Sequence, residues 1–197
     1  MTLKTYAGLE ESVKRWLWRQ EDLDVANRIP DYISLLEEQM NSRLRVRHMR
    51  KRVTLPLVEG VGTLPADYLS YQRISDVKSP RVEFLPGYPE NGYGFEIDGD
   101  EIRVNSPAVP SQIDLVYYGE IPALDPADPN STNWLLQKYR SVYLFGVLTE
   151  AFPQEREDPR LMVFGPKFEA AVSRLERQDE LAQRAQMGRR RNSGHTP

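Results

Sequence analysis

Cysteine is absent from this chain of 197 residues, and histidine occurs only as His48 and His195. Without thiols there are no disulfides, no thiolate nucleophiles and no thiolate zinc sites. His48 lies among arginines that hold it neutral and His195 is remote from it in sequence, so the pair points to no shared metal site. Equally missing are a G-x-x-x-x-G-K-[ST] phosphate loop, a G-x-G-x-x-G turn, a G-x-S-x-G elbow and an H-E-x-x-H helix. The expectation is a protein that is not an enzyme and holds no cofactor. The carboxylates Asp22 and Asp24, and those of Asp98, Asp100 and Glu101, are dense but lack the ligand spacing of a calcium loop, so they read as solvated turns.

No sign of charge dominates either. The chain has 26 basic and 29 acidic residues, a formal net charge of -3, and a balance that confers no general affinity for polyanions. No apolar run is long enough to span a membrane, and the opening MTLKTYAGLEESVKRW has neither an apolar core nor a small-residue cleavage site. Neither a secretory signal nor a membrane partner is expected.

What is present is a dense apolar stretch over residues 132–153, TNWLLQKYRSVYLFGVLTEAFP. Its aromatics, leucines and valines wrap more than half of a helical circumference, where a surface helix shows one stripe about 100° wide. Such a helix must be covered on several sides. Asn133 or Thr132 can cap it, and Pro153 stops it. Earlier in the chain, Tyr6, Leu9, Val13, Trp16 and Leu17 fall on one helical face and predict a helix over 5–20. After a polar connection, Pro30 in a first turn and the face of Ile29, Ile33, Leu36, Met40 and Leu44 predict a second helix over 31–46. Past Pro153, Leu161, Phe164, Phe168, Ala171, Val172, Leu175 and Leu181 predict a fourth helix over 159–186, kinked or delayed by Pro166, with Asp179 on its outer side.

Between these helices the period shifts to that of strands. Val53, Leu55 and Leu57 alternate with polar residues, and RVEFL, YGFEI, EIRV and IDLVYYGEI are short runs rich in β-formers. Residues 95–102 read as a hairpin whose turn needs a positive φ at Gly99. Five or six short antiparallel strands fit residues 50–121, interrupted by prolines that each remove a ladder donor. The predicted fold is α+β: a four-helix bundle carrying a small inserted antiparallel β domain and a flexible C-terminal arm. The bundle comprises residues 1–49 and 132–187, the β insertion 50–121, a proline-rich loop 122–131, and a basic tail 188–197.

Two basic clusters are the candidates for contact with a partner. Arg43, Arg45, Arg47, His48, Arg50, Lys51 and Arg52 run off the second helix. They can complement the helix dipole and form salt bridges, or they can meet phosphates or an acidic protein rim. Arg184, Arg189, Arg190 and Arg191 follow the last acidic residue, Glu180, and are either a solvated tail or a docking arm. Trp18 falls off the face of the first helix and is a rim residue or an interface anchor. Tyr88 and Tyr93, in a glycine- and proline-rich stretch, are candidate contact aromatics on an exposed loop.

The order and wording of five pieces resemble the head-to-tail adaptor (head completion) proteins of tailed bacteriophages, particularly those of short-tailed phages. The pieces are TYAGLEESVKRWLWR, IPDYISLLEEQMNSRLRVRHM, TLPADYLSYQRI, IDLVYYGEIPALD and TNWLLQKYRSVYLFGVLTEAFP. The resemblance implies a virion protein at the head–tail junction, assembled in the host cytoplasm as a ring of twelve copies beneath the portal protein. Such a ring extends the DNA channel, lets DNA pass through its lumen without specific binding, and docks tail or nozzle proteins. It also implies that the C-terminal segment grips the portal. The alternative from the residues alone is a nucleic-acid-binding regulator that uses residues 43–52 as a recognition helix.

Overall fold

A computed structural model describes residues 3–17, 23–87, 89, 92–151 and 161–192, with the backbone alone over 23–26, 161–162 and 186–192. The chain divides into a helical unit, Met1–Leu44 with Ile121–Pro197, and a β unit, Arg45–Glu120.

The helical unit is built around α4, Arg140–Ala151, which packs against α1 (Tyr6–Leu17), α2 (Leu23–Arg43), α3 (Trp134–Lys138) and α5 (Leu161–Asn192). Val142, Tyr143, Gly146, Val147, Leu148 and Ala151 of α4 are buried, as an all-round apolar helix requires. At Gly146 an added Cβ would lie 2.4 Å from Leu36 Cδ1, so the missing side chain is what lets α2 approach α4. Asn133 caps α3, its Oδ1 accepting from the Leu136 N–H at 2.9 Å. The dense apolar stretch is nonetheless two helices, because Tyr139 leaves helical geometry (φ -129, ψ 50). Pro153, the expected stop, lies outside the described residues.

One polar network crosses this core. Tyr143 Oη donates to Glu37 Oε1 at 2.6 Å, and Asn133 Nδ2 donates to Tyr143 Oη at 2.6 Å and to the Pro122 carbonyl at 2.7 Å. The Leu124 N–H donates to the same Glu37 oxygen at 3.1 Å, and the Ile121 N–H donates to Asn41 Oδ1 at 2.9 Å. The proline-rich loop is thereby tied to α2. Its other end serves α1: the Tyr6 and Ala7 N–H groups, orphaned at a helix start, donate to the Ser131 and Pro129 carbonyls. Burial raises the pKa of Glu37, against the opposing hydrogen bonds from Tyr143 and Leu124. Burial, with the neighbouring Glu37 charge, raises the Tyr143 hydroxyl strongly as well.

The β unit holds two sheets on one core. The first has the order β1 (Arg50–Pro56), β7 (Gln112–Gly119), β3 (Tyr68–Asp76), all antiparallel. The second has the order β2 (Val61–Thr63), β6 (Glu101–Asn105), β5 (Gly94–Asp98), β4 (Leu85–Pro86). Leu55, Ile74, Ile113, Leu115 and Tyr117 of the first sheet meet Phe95, Ile102 and Val104 of the second. The hairpin at 95–102 forms as read, with Gly99 at φ 56. A second two-residue turn joins Val58 to Val61, and places Glu59 (φ 51) and Gly60 (φ 82) both in the left-handed region.

Several expectations are corrected. Among the described residues there are five α-helices and seven strands in two sheets, so the fold is mixed α+β but not a four-helix bundle with a small insertion. The break at Tyr139 adds a helix, and the strands divide into two sheets that enclose one core between them. β4 and β5 pair in parallel, not antiparallel. Helix α2 begins at Leu23, seven residues before Pro30, and ends at Arg43; α5 begins at Leu161, ahead of Pro166. The predicted unstructured tail is helical through Asn192, consistent with the good helix propensity of arginine. Trp16, read as core, is 40% exposed and stands edge-on to Phe145 and Phe164. On α5, Leu181 is 65% exposed, while Asp179 takes the buried position after Leu175 and accepts from Gln183 Nε2.

Candidate interaction surface

Of the first basic cluster, the structure gives Arg43 a packing role. Its guanidinium, at the C-terminal end of α2, meets Glu169 at 2.9 Å and Glu176 at 3.3 Å, both on α5. From Leu44 the chain leaves the helix, passes through the 3₁₀ turn Arg47–Met49 and enters β1, so residues 43–52 form no recognition helix. Arg47 is exposed on that turn. Arg45 and Arg50 belong to a different grouping, on the outer face of the three-stranded sheet.

That face follows from register. Odd positions of β7 (Ile113, Leu115, Tyr117) point into the core, so Asp114, Val116 and Tyr118 point away. Across them stand Thr54, Arg52 and Arg50 on β1, and Ser75, Arg73 and Ser70 on β3. Regular pairing from Ser70 would have set Arg73 opposite core Leu115. The register shift between Tyr71 and Arg73 inserts Gln72 and returns Arg73 to the outer face and Ile74 to the core. Arg45 joins them through its Nε, which donates to Ser70 Oγ at 2.8 Å.

Four arginines therefore share one sheet face with the carboxylate of Asp114. Asp114 accepts from Arg52 Nη2 and, at 2.9 Å, from Thr54 Oγ1; the Arg52 bond holds its carboxyl below the usual range. Arg73 Nη2 donates to Ser75 Oγ at 3.3 Å and lies near enough to Asp114 to lower its pKa further. Arg50, Lys51, Arg52, Arg73 and Val116 line a cavity of about 340 Å³. At the edge of the same strand Lys51 Nζ pairs with Asp67, which also accepts from Tyr117 Oη at 3.0 Å. Burial alone would raise the Asp67 carboxyl, but the Lys51 and Tyr117 bonds outweigh it and leave it lowered. Burial and the Asp67 bond push Tyr117 up to about 12.

β1 is an edge strand, and its chemistry shows it. The Leu57 N–H bonds to the Ser111 carbonyl, so alternation turns the backbone groups of Arg50, Arg52 and Thr54 away from β7. Two arginines, a lysine and Pro56, which has no N–H to offer, protect that edge from indiscriminate pairing.

The other sequence candidates are dispersed. Tyr93 is half-buried and packs edge-on to Phe84 at 6.0 Å, so it serves the β core instead of an exposed loop. Trp18 and Tyr88 lie outside the described residues. Arg184 is exposed on α5, 3.7 Å from Glu180. Arg189, Arg190 and Arg191 continue that helix as backbone. The residue that sequence reading missed is Arg73, whose only signal was a strand alternation hidden by the bulge. Among the described residues no group of three histidine or carboxylate side chains is placed to hold a metal ion, and no helix is long and apolar enough to cross a membrane.

The sequence model of one family, SU10 adaptor protein, matches residues 4–193. The chain belongs to this family. The match takes in both units and the basic end of α5, and it confirms the resemblance to head–tail adaptors of short-tailed phages. The role is that of a phage structural adaptor located in the virion, in a family that is typically non-enzymatic and that works with portal and tail components. Among curated proteins, none matches the chain.

Proposed function

We propose that this adaptor assembles in the host cytoplasm as a ring of twelve copies between the portal and the tail, extending the channel through which DNA leaves the particle. In this reading the far side of the ring receives tail or nozzle proteins, and DNA passes the lumen without specific binding. The basic end of α5, with Arg184, Arg189, Arg190 and Arg191, is the portal-docking arm. The observation that carries this assignment is that α5 outruns its core. Asp179 is the last buried position among its described side chains, yet the helix continues to Asn192 with Leu181 exposed. A helical turn that serves no core within its own chain is available to a partner.

Deletion of residues 184–197 tests the arm. The truncated chain should keep the wild-type melting curve, because the side chains described from 184 onward are exposed, and should bind purified portal rings at least tenfold more weakly. Docking at wild-type strength by the truncated chain would remove the arm from the proposal.

A further inference from the structure

The second sheet of the β unit mirrors the first in charge. Phe95, Ile97, Ile102 and Val104 point to the shared core, so Glu96 and Asp98 on β5, and Glu101 and Arg103 on β6, point outward. Asp100, in the turn between them, is exposed as well. Among the described residues of β5, β6 and their turn, this face therefore carries four carboxylates and the cation Arg103. The opposite outer face carries Arg45, Arg50, Arg52 and Arg73 with Asp114, and Glu83 at its margin beyond Ser75. One sandwich thus presents an arginine-rich face on one side and a carboxylate-rich face on the other.

We infer that these are the two halves of one contact between copies of this chain, the arginine face of each copy seating on the carboxylate face of the next. The inference rests on the ring proposed above and names the surfaces that would build it. A contact between two different patches is heterologous, repeats from copy to copy and closes into a ring when the rotation per copy allows. Charge complementarity of this kind fixes register and rejects wrong pairings, since like faces repel. A phosphate backbone suits the arginine face less well. Asp114 interrupts the positive charge, and a phosphate backbone has no cation to set against it, whereas the carboxylate face carries Arg103.

Charge reversal in the full-length chain tests the idea. Arg50→Glu with Arg73→Glu leaves a copy acidic on both sides; Glu96→Arg with Glu101→Arg leaves a copy basic on both sides. All four positions are exposed, so both variants should melt as wild type does. Self-association is followed by sedimentation velocity at about 50 mM salt, and copies per portal ring are counted by electron microscopy. Each variant alone should associate at least tenfold more weakly than wild type, and an equal mixture of the two should assemble again. Wild-type assembly by either variant alone, or a mixture that stays unassembled, overturns the inference. So does duplex DNA binding that is lost in the arginine variant while assembly is unchanged, which would assign the face to nucleic acid. A wild type that self-associates but ignores the portal refutes the adaptor ring and leaves this contact standing. Charge-reversed variants that still fill the portal with the wild-type number of copies do the reverse: the adaptor ring stands and this contact falls.

Discussion

The two units of this adaptor treat carboxylates in opposite ways. In the helical unit Glu37 is buried, held by Tyr143 and the Leu124 N–H with no cation bonded to it among the described residues, and its pKa is raised. In the β unit Asp67 and Asp114 sit against Lys51 and Arg52, and their pKa values are lowered. The difference teaches what each carboxylate is for. Glu37 trades solvation for geometry, pinning a proline-rich loop to α2, whereas Asp67 and Asp114 set the positions of cations at a surface.

The comparison can be broken most forcefully at Tyr143. Tyr143→Phe removes the donor to Glu37 and one acceptor of Asn133 Nδ2 inside the buried core, and should lower the stability of the helical unit by about 2 kcal/mol. All three tryptophans, Trp16, Trp18 and Trp134, belong to that unit, so denaturation followed by tryptophan fluorescence reads it directly. A loss below about 0.5 kcal/mol would mean that the network is dispensable.

A pH titration sharpens the contrast because the signs differ. The raised pKa of Glu37 means that its contribution is fully present below its ordinary value of 4.5 and is lost as pH rises through the folded value. The lowered pKa of Asp114 means that its contribution is present above 3.8 and is lost as pH falls through the folded value. Relative to wild type, Glu37→Gln should therefore gain stability as pH is raised from acid to neutral. Asp114→Asn should instead cost about 1 kcal/mol at neutral pH and nothing in strong acid. Chemical denaturation at a series of pH values checks both, and parallel trends for the two variants would contradict the assignment.

The smallest expected effect concerns the turn at Val58 to Val61. Glu59 occupies a left-handed conformation that suits asparagine better, so Glu59→Asn should stabilise the β unit by about 0.5 kcal/mol, measured as a raised midpoint of β-sheet circular dichroism. A lowered midpoint would show that Glu59 makes contacts that outweigh its backbone strain.

Local grammar carried much of this fold into view. The apolar face of α1, the Asn133 cap, the Gly99 turn, the alternation of β1 and the β-rich run of β7 all depend on neighbours a few residues away, and sequence spacing and composition report them. What stayed hidden depends on distant partners. Glu37 is silent beside Leu36 until Tyr143, 106 positions later, reaches it. Asp179 reads as a surface residue because a carboxylate usually is one, and tertiary packing overrides that preference. The split of the apolar stretch at Tyr139 has no proline or glycine to announce it. Arg73 was invisible for a subtler reason, since one extra residue changed which side of its strand it occupies.

That extra residue ties the chemistry of the β unit to the shape of one strand as well as to its composition. If Gln72 took a regular place in the ladder, Arg73 would turn inward and Ile74 outward together. Loss of the Gln72 codon would instead remove the bulge itself and leave Arg73 opposite Val116 and Ile74 opposite Leu115, as they stand now. Among related adaptors, a one-residue gap between Tyr71 and Ile74 is therefore no sign that the arginine face has been lost.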